Sequence, residues 1–174
     1  MLLFRKAINK DIKKVSEIYL AVIAAEEAGC SGVGWVKDIY PTRETAQAAF
    51  ERGDLFVAEY DGVVCATAII NQLQVDVYDG APWKYAAADH EVMVLHTLAV
   101  SPDCYGNGFG RAFVRFYESY ALSAGCNFLR MDTNANNTKA RKMYNKLGYD
   151  EIDVVTCSFN GIGGVRLVLL EKKL

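Results

Sequence analysis

Apolar residues recur along this chain at two spacings, which predict two kinds of secondary structure. Over residues 11–28 they fall every three or four positions, the period of an amphipathic helix. Elsewhere they form short runs rich in β-branched and aromatic residues, which indicate strands. The predicted strands cover residues 2–7, 55–60, 63–71, 91–100, 128–133, 151–159 and 165–170; the predicted helices cover 11–28, 42–52, 110–124 and 137–148.

The order of these elements predicts the fold class. Asp61-Gly62 lies between two strand-like runs and is a strong hairpin signal. One strand, two helices, three strands, a helix, a strand, a helix and two strands are typical of an α/β domain with one mixed β-sheet and helices on both of its faces. The 174 residues contain no repeat or linker, so we expect a single domain over residues 1–174.

Composition restricts the classes of partner. Hydrophobic residues make up 52% of the chain, which is enough for a packed core. Lys and Arg number 19 against 21 Asp and Glu, for a net charge of -2, and no basic run is present. We therefore expect neither a nucleic-acid partner nor a membrane-binding surface. An anionic ligand would have to be held by local geometry, because the overall field does not attract it.

The cysteines and histidines argue against a disulfide framework and against a metal site. There are five cysteines, an odd number without a C-x-x-C pair, and only two histidines. No apolar stretch approaches the ~18 residues of a membrane span, and the N-terminus lacks the pattern of a signal peptide. We expect reduced thiols, no metal cofactor and a cytoplasmic location.

The segment that points to a ligand is a strand, a glycine-rich turn and a helix. The turn, YGNGFG at residues 105–110, follows the strand ending at Val100 and begins the next helix. Backbone N–H groups at such a turn and helix N-terminus form an anion site suited to phosphate. A P-loop needs Gly-Lys-Ser/Thr, whereas Gly110 is followed by Arg111-Ala112, and the strictly alternating glycines do not have the spacing of a dinucleotide fingerprint. On this evidence alone, a tight turn without a ligand stays an equal alternative.

Two motifs resemble those of one family. LAVSP at residues 98–102, followed by YGNGFG, looks like the coenzyme A-binding core of the GCN5-related N-acetyltransferases. Downstream, N-x-x-A-x-x-x-Y-x-x-L-G-Y at residues 137–149 is similar to the second signature of that family. The FRKA-x-x-x-D opening at residues 4–11 also resembles its start. One departure is Tyr105, where the family usually has Gln or Arg.

The resemblance implies acetyl-CoA as co-substrate and a specific binding geometry. Two parallel strands, one ending at Val100 and the other covering residues 128–133, would splay apart around the pantetheine arm. The pyrophosphate would lie on the glycine turn, and Asn137 would hydrogen-bond the arm. The predicted coenzyme-binding residues are Leu98, Ala99, Val100, Gly106, Asn107, Gly108, Phe109, Gly110, Arg111 and Asn137.

The resemblance also suggests catalytic residues. Tyr144 matches the family position that commonly protonates the leaving thiolate; the alternative is a half-buried aromatic on a helix. His96, on the strand before the coenzyme-binding residues, is the predicted base, because its ordinary pKa of ~6.5 suits proton removal near neutral pH. A histidine in an apolar strand is also a common core residue. Glu91, acting through a water, is the second candidate, although an ordinary charge at the edge of the strand is the favoured interpretation of this residue.

These observations leave two functions open. The first is an N-acetyltransferase in which a primary amine of a small molecule, peptide or protein attacks acetyl-CoA directly in a ternary complex. The second is a non-catalytic module that binds acyl-CoA as a sensor or partner. The sequence identifies neither the acceptor nor the acyl chain length. A homodimer is possible, since homodimers are common in this family.

Overall fold

The computed structural model describes residues Met1 to Leu174, and its seven strands form one mixed sheet. The strands are β1 (Leu2–Lys6), β2 (Leu55–Tyr60), β3 (Val63–Asn71), β4 (Val92–Val100), β5 (Phe128–Asn134), β6 (Asp150–Phe159) and β7 (Ile162–Lys173). The helices are α1 (Asp11–Glu27), α2 (Arg43–Arg52), α3 (Phe109–Ser123) and α4 (Thr138–Lys146). Strand order is β1-β2-β3-β4-β5-β7-β6, and β4–β5 is the one parallel pair. The predicted mixed α/β sheet is confirmed.

Two hairpins close on two-residue turns whose central residues both have positive φ. These are Asp61-Gly62 (φ 49° and 82°) and Asn160-Gly161 (φ 51° and 79°). Such turns match the right-handed twist of the flanking strands. The second turn needs only two residues of the glycine-rich run, so β7 begins at Ile162, three residues earlier than the sequence predicts.

Each face of the sheet buries its own core. On one face, α3 and α4 cover a cluster that includes Phe113, Val114 and Leu129; on the other, α1 and α2 cover a second cluster. The fully buried Tyr117 hydroxyl lies 2.6 Å from the Met93 carbonyl oxygen and 3.2 Å from that of Arg130. It therefore ties α3 to both members of the parallel pair. No helix combines the length and the apolarity that crossing a bilayer requires.

The β3–β4 connection, residues 72–91, folds over the sheet beside α1 and α2 and is anchored by a buried ion pair. Arg130 Nε lies 3.2 Å from Glu171 Oε1, and their side chains are 6% and 0% exposed. The other carboxylate oxygen of Glu171 accepts hydrogen bonds from the backbone N–H groups of Lys84 and Tyr85. The guanidinium of Arg130 also stacks on the Trp83 ring at 4.2 Å. The pair thus fastens the connection to β5 and β7.

Glu171→Gln should destabilise the protein by about 3–5 kcal/mol, because it leaves the Arg130 guanidinium buried without its carboxylate. Urea unfolding measures this free energy. Asp150→Asn is the matched control, since the Lys84–Asp150 pair is 55% and 53% exposed and should change stability by less than about 1 kcal/mol. Equal effects of the two substitutions would show that the buried pair does not anchor the connection.

Candidate active site

The two parallel strands pair over only part of their length. Their register runs from Val92 opposite Phe128 to Leu95 opposite Met131 and then stops, although both strands continue. Just past this point Thr97 adopts a positive φ of 52°, where the pairing of β4 with β3 also shifts register. Such a bulge bends the strand. A gap therefore opens through the sheet, as the predicted splay requires.

A cavity of about 1360 Å³ occupies this gap and reaches both faces of the sheet. Its volume exceeds the roughly 300–1,000 Å³ typical of a site for one drug-sized ligand. The wall toward α3 and α4 includes Val100, Gly106, Gly108, Arg111, Asn137 and Tyr144. The wall toward α1 and α2 includes Trp35, Tyr40, Asn71, His96, Asp132 and Phe159. One continuous space thus joins the predicted coenzyme residues to an aromatic and polar chamber.

The glycine turn carries a run of unused hydrogen-bond donors. No backbone N–H of residues 106–111 donates a hydrogen bond within the protein, and the first such bond of α3 is from Ala112 N–H to the Gly108 carbonyl. Gly108 is the N-cap with φ 76°, and a Cβ atom built on it would meet nothing within 4 Å. These donors and the helix dipole form a cradle for a phosphate group.

Most of the predicted coenzyme residues line the cavity, but two do not. Ala99 is buried beneath α1 and α2, because alternate side chains of β4 point to opposite faces. Asn107 is exposed and braces the turn through a hydrogen bond from Nδ2 to the Cys104 carbonyl (3.1 Å). Asn137 lines the cavity and caps α4, accepting from Ala140 N–H at 3.2 Å through Oδ1. Its Nδ2 stays available for a ligand.

Tyr144 lines the cavity on the wall toward α3 and α4. Its side chain is buried among the residues that pack under α3 and α4, and its ring meets that of Tyr149 edge to face. The hydroxyl makes no hydrogen bond within the protein. Burial, followed by the nearby Asp132 carboxylate, raises the pKa of Tyr144 above its ordinary value. The phenol therefore keeps its proton throughout the physiological pH range.

His96 lines the opposite wall and is held by a polar chain. Its Nε2 lies 3.1 Å from Asn71 Oδ1, while Asn71 Nδ2 donates to Asp54. This orientation of the amide assigns the proton to Nε2. Burial lowers the pKa of His96 to about 4, so the ring is neutral at pH 7 and only weakly basic. Glu91 does not line the cavity; its carboxylate accepts from Ala88 N–H in the turn before β4.

Asp132 is a cavity residue that the sequence analysis did not identify. It is the first residue of β5 beyond the last pair with β4, it is half-buried, and its Oδ2 accepts from the Tyr78 hydroxyl at 2.8 Å. Burial raises the pKa of Asp132 to about 6, although the hydrogen bond from Tyr78 acts in the opposite direction. The available signal was a carboxylate on the strand next to the one that carries the coenzyme motif.

The connection between α1 and α2 covers the mouth of the chamber. Glu26 accepts hydrogen bonds from the N–H groups of Val33 and Gly34 and so holds the connection in place. A Cβ atom on Gly32 would lie 2.4 Å from the Asn136 carbonyl oxygen, and one on Gly34 would lie 2.2 Å from Asn134 Nδ2. At Gly32 the obstacle is backbone, so only glycine permits this close approach to the segment after β5, whereas Gly34 is favoured by its positive φ of 72°.

This chain is similar to known acetyltransferases in sequence and in fold. The relatives include an N-acetyltransferase of Methanocaldococcus jannaschii, 35% identical over 78 residues, which are 44% of this chain and 49% of the relative. The chain thus spans about half the length of the curated relative it matches. A GNAT-family acetyltransferase from Streptococcus agalactiae superimposes with a TM-score of 0.80 at 23% identity, covering 99% of this chain and 95% of that one.

A third comparison concerns a structure that contains a ligand. The yncA protein of Salmonella typhimurium, determined with its cofactor acetyl-CoA, superimposes with a TM-score of 0.73 at 17% identity, covering 100% of this chain and 94% of that chain. At such identities the two structural likenesses show a shared fold. The family itself is shown by sequence: residues 19–149 match the acetyltransferase (GNAT) family. This chain therefore belongs to the GNAT family of acetyltransferases.

Proposed function

We propose that this protein is an acetyl-CoA-dependent N-acetyltransferase that acts on a primary amine of a small molecule or peptide. The observation that carries the proposal is one cavity that passes through the gap between β4 and β5. Its lining includes the unused backbone donors of the glycine turn, and it also includes the buried phenol of Tyr144 and the carboxylate of Asp132. A module that only binds acyl-CoA needs the backbone donors, whereas acyl transfer needs the donors together with groups that can transfer protons.

The residues toward α3 fit a coenzyme A. Residues 106–111 offer N–H donors to the pyrophosphate, and the backbone of Leu98 and Val100 has no strand partner on the β5 side, so it can pair with the pantetheine amides. Asn137 Nδ2 faces the same path. Since the phosphates are held by main-chain donors, Tyr105 in place of Gln or Arg is compatible with binding.

The chain's own groups supply the two proton transfers. Bound acetyl-CoA supplies a thioester whose carbonyl carbon exchanges its bond to sulfur for a bond to the acceptor nitrogen. Asp132 Oδ1 takes one proton from the acceptor ammonium, so that the neutral amine can attack, and later releases it to solvent. Tyr144 gives its phenol proton to the departing sulfur and recovers a proton from the newly acylated nitrogen. Burial that raises the pKa of Tyr144 also makes a nearby thiolate more basic.

Asp132 is favoured over His96 as the base. Burial raises the pKa of Asp132 to about 6 and lowers that of His96 to about 4, so the carboxylate is the stronger base, and an efficient base has a pKa near the working pH. The charge of Asp132 also raises the pKa of Tyr144, after the larger effect of burial, and both residues line the cavity. His96 Nε2 is already engaged by Asn71. We therefore assign proton removal to Asp132 and a structural role on the chamber wall to His96.

Gly108→Asp should weaken acetyl-CoA binding at least tenfold, or about 1.4 kcal/mol, by calorimetry, because it places a carboxylate beside the phosphates. Gly125→Asp is the matched control. Gly125 also has a positive φ (80°) with open space around it, but it lies after the C-terminus of α3 and does not line the cavity. Equal losses in both variants, or none in either, would contradict the predicted cradle.

Asp132→Asn should lower kcat/KM for the amine about a hundredfold and abolish the rise of kcat/KM through pH 6, whereas His96→Gln should keep that rise. Loss of the rise in His96→Gln alone would return the base role to His96.

Because the folded-state pKa of Asp132 lies above its unfolded value, ionised Asp132 costs stability as pH increases from about 4 to about 6. The melting temperature of Asp132→Asn above pH 6 should therefore equal or exceed that of the wild type.

Tyr144→Phe should lower kcat about a hundredfold or more while acetyl-CoA affinity stays the same, because it removes only the acidic proton. Release of coenzyme A thiol, followed across a panel of amines, measures kcat. Tyr149→Phe is the control: its hydroxyl is buried without a partner and does not line the cavity, so activity should be unchanged. A wild type that binds acetyl-CoA but transfers to no amine would favour the non-catalytic module.

A further inference from the structure

The Asp132 carboxylate has one hydrogen-bond partner within the protein, and that partner is not part of the cavity. Tyr78 lies 54 positions away in the β3–β4 connection, and its hydroxyl donates to Asp132 Oδ2 at 2.8 Å. Its side chain is 3% exposed and does not line the cavity. Asp132 Oδ1 accepts no hydrogen bond from the protein. The two oxygens of the carboxylate thus have different environments.

Tyr78 is itself rigidly supported. Trp83 packs edge to face on its ring, with centroids 5.2 Å apart, and donates from Nε1 to the Tyr78 carbonyl at 3.0 Å. Trp83 in turn lies over the guanidinium of Arg130, which is paired with the fully buried Glu171. The phenol is therefore held by packing, a hydrogen bond and a buried ion pair. A donor held in this way keeps the group it contacts in a single orientation.

We propose that Tyr78 is a positioning residue for the acyl transfer, fixing Asp132 through Oδ2 so that Oδ1 is the oxygen that receives the proton from the amine. This inference rests on the proposed function. It gives the β3–β4 connection a role in the reaction, although Tyr78 itself does not line the cavity. The step moves one proton and changes no covalent bond of Tyr78, whose hydroxyl proton stays on its oxygen.

The effect of the Tyr78 hydrogen bond on the pKa of Asp132 can be measured by titration, because the other groups near Asp132 titrate outside the same pH range. The other titratable groups that face it are Tyr40, Tyr144, Cys157 and His96. Burial raises the pKa of the two phenols and the thiol, and lowers that of His96 to about 4. The Arg130 charge on the same strand face is paired with Glu171. Between pH 5 and 8 the titration observed in this chamber should therefore be that of Asp132.

Tyr78→Phe tests the proposal, because it keeps the ring against Trp83 and removes only the hydroxyl. A hydrogen bond donated to the ionised carboxylate lowers its pKa, so its loss should raise the pKa of Asp132 by about one unit. Carboxyl-carbon NMR of the ligand-free protein, assigned with Asp132→Asn, measures this shift without any activity. The rise of kcat/KM for the amine should move upward by the same amount, leaving about tenfold less activity at pH 5. The KM for acetyl-CoA should not change.

Tyr85→Phe is the matched control. Tyr85 belongs to the same connection, its hydroxyl makes no hydrogen bond, and it does not line the cavity. It should leave the Asp132 pKa and the pH profile unchanged. An unshifted Asp132 pKa in Tyr78→Phe would overturn the inference even if Asp132→Asn is inactive. Full activity of Asp132→Asn would instead overturn the proposal that Asp132 is the base. The NMR titration of Tyr78→Phe does not depend on activity, so it distinguishes this failure from a failure of the Tyr78 inference.

Discussion

The separation of β4 from β5 after four residue pairs is the constraint on which the rest of this structure depends. A continuous parallel pair would satisfy its own backbone groups and seal the sheet. Because pairing stops at Leu95 and Met131, backbone beyond these residues is left for a ligand, and a path opens between the two faces. The bulge at Thr97, held by the hydrogen bond between its hydroxyl and that of Tyr40, bends β4 away.

The open sheet has to be stabilised elsewhere, and the packing around the parallel pair does this. Tyr117 links the backbones of β4 and β5 from beneath α3. On the other face, the Arg130–Glu171 pair fastens the β3–β4 connection to β5 and β7. Both supports act on the paired part of the strands. The gap can therefore stay open without weakening the core on either side.

Charge is placed locally in a protein whose overall charge is close to neutral. The net charge of -2 gives no general attraction for a polyphosphate, so the proposed coenzyme site relies on the free backbone donors at the start of α3. A carboxylate inside the chamber costs stability once ionised, because burial raises its pKa to about 6. The same raised pKa that costs stability makes the carboxylate a stronger base. Such a trade-off between stability and activity is common at enzyme sites.

The sequence by itself determined the elements, the mixed sheet and the glycine cradle, because these depend on local periodicity, turn chemistry and motif spacing. The motifs at residues 105–110 and 137–149 predict the coenzyme half of the site without coordinates, and Tyr144 is a prediction from the second motif. Only the tertiary structure decided how basic each candidate group is. Burial and partners from distant segments set a pKa, so His96 becomes a weak base beside Asn71 while Asp132 becomes a stronger one beside Tyr78. Spacing along the chain does not encode either environment, since Tyr78 and Asp132 meet across 54 residues.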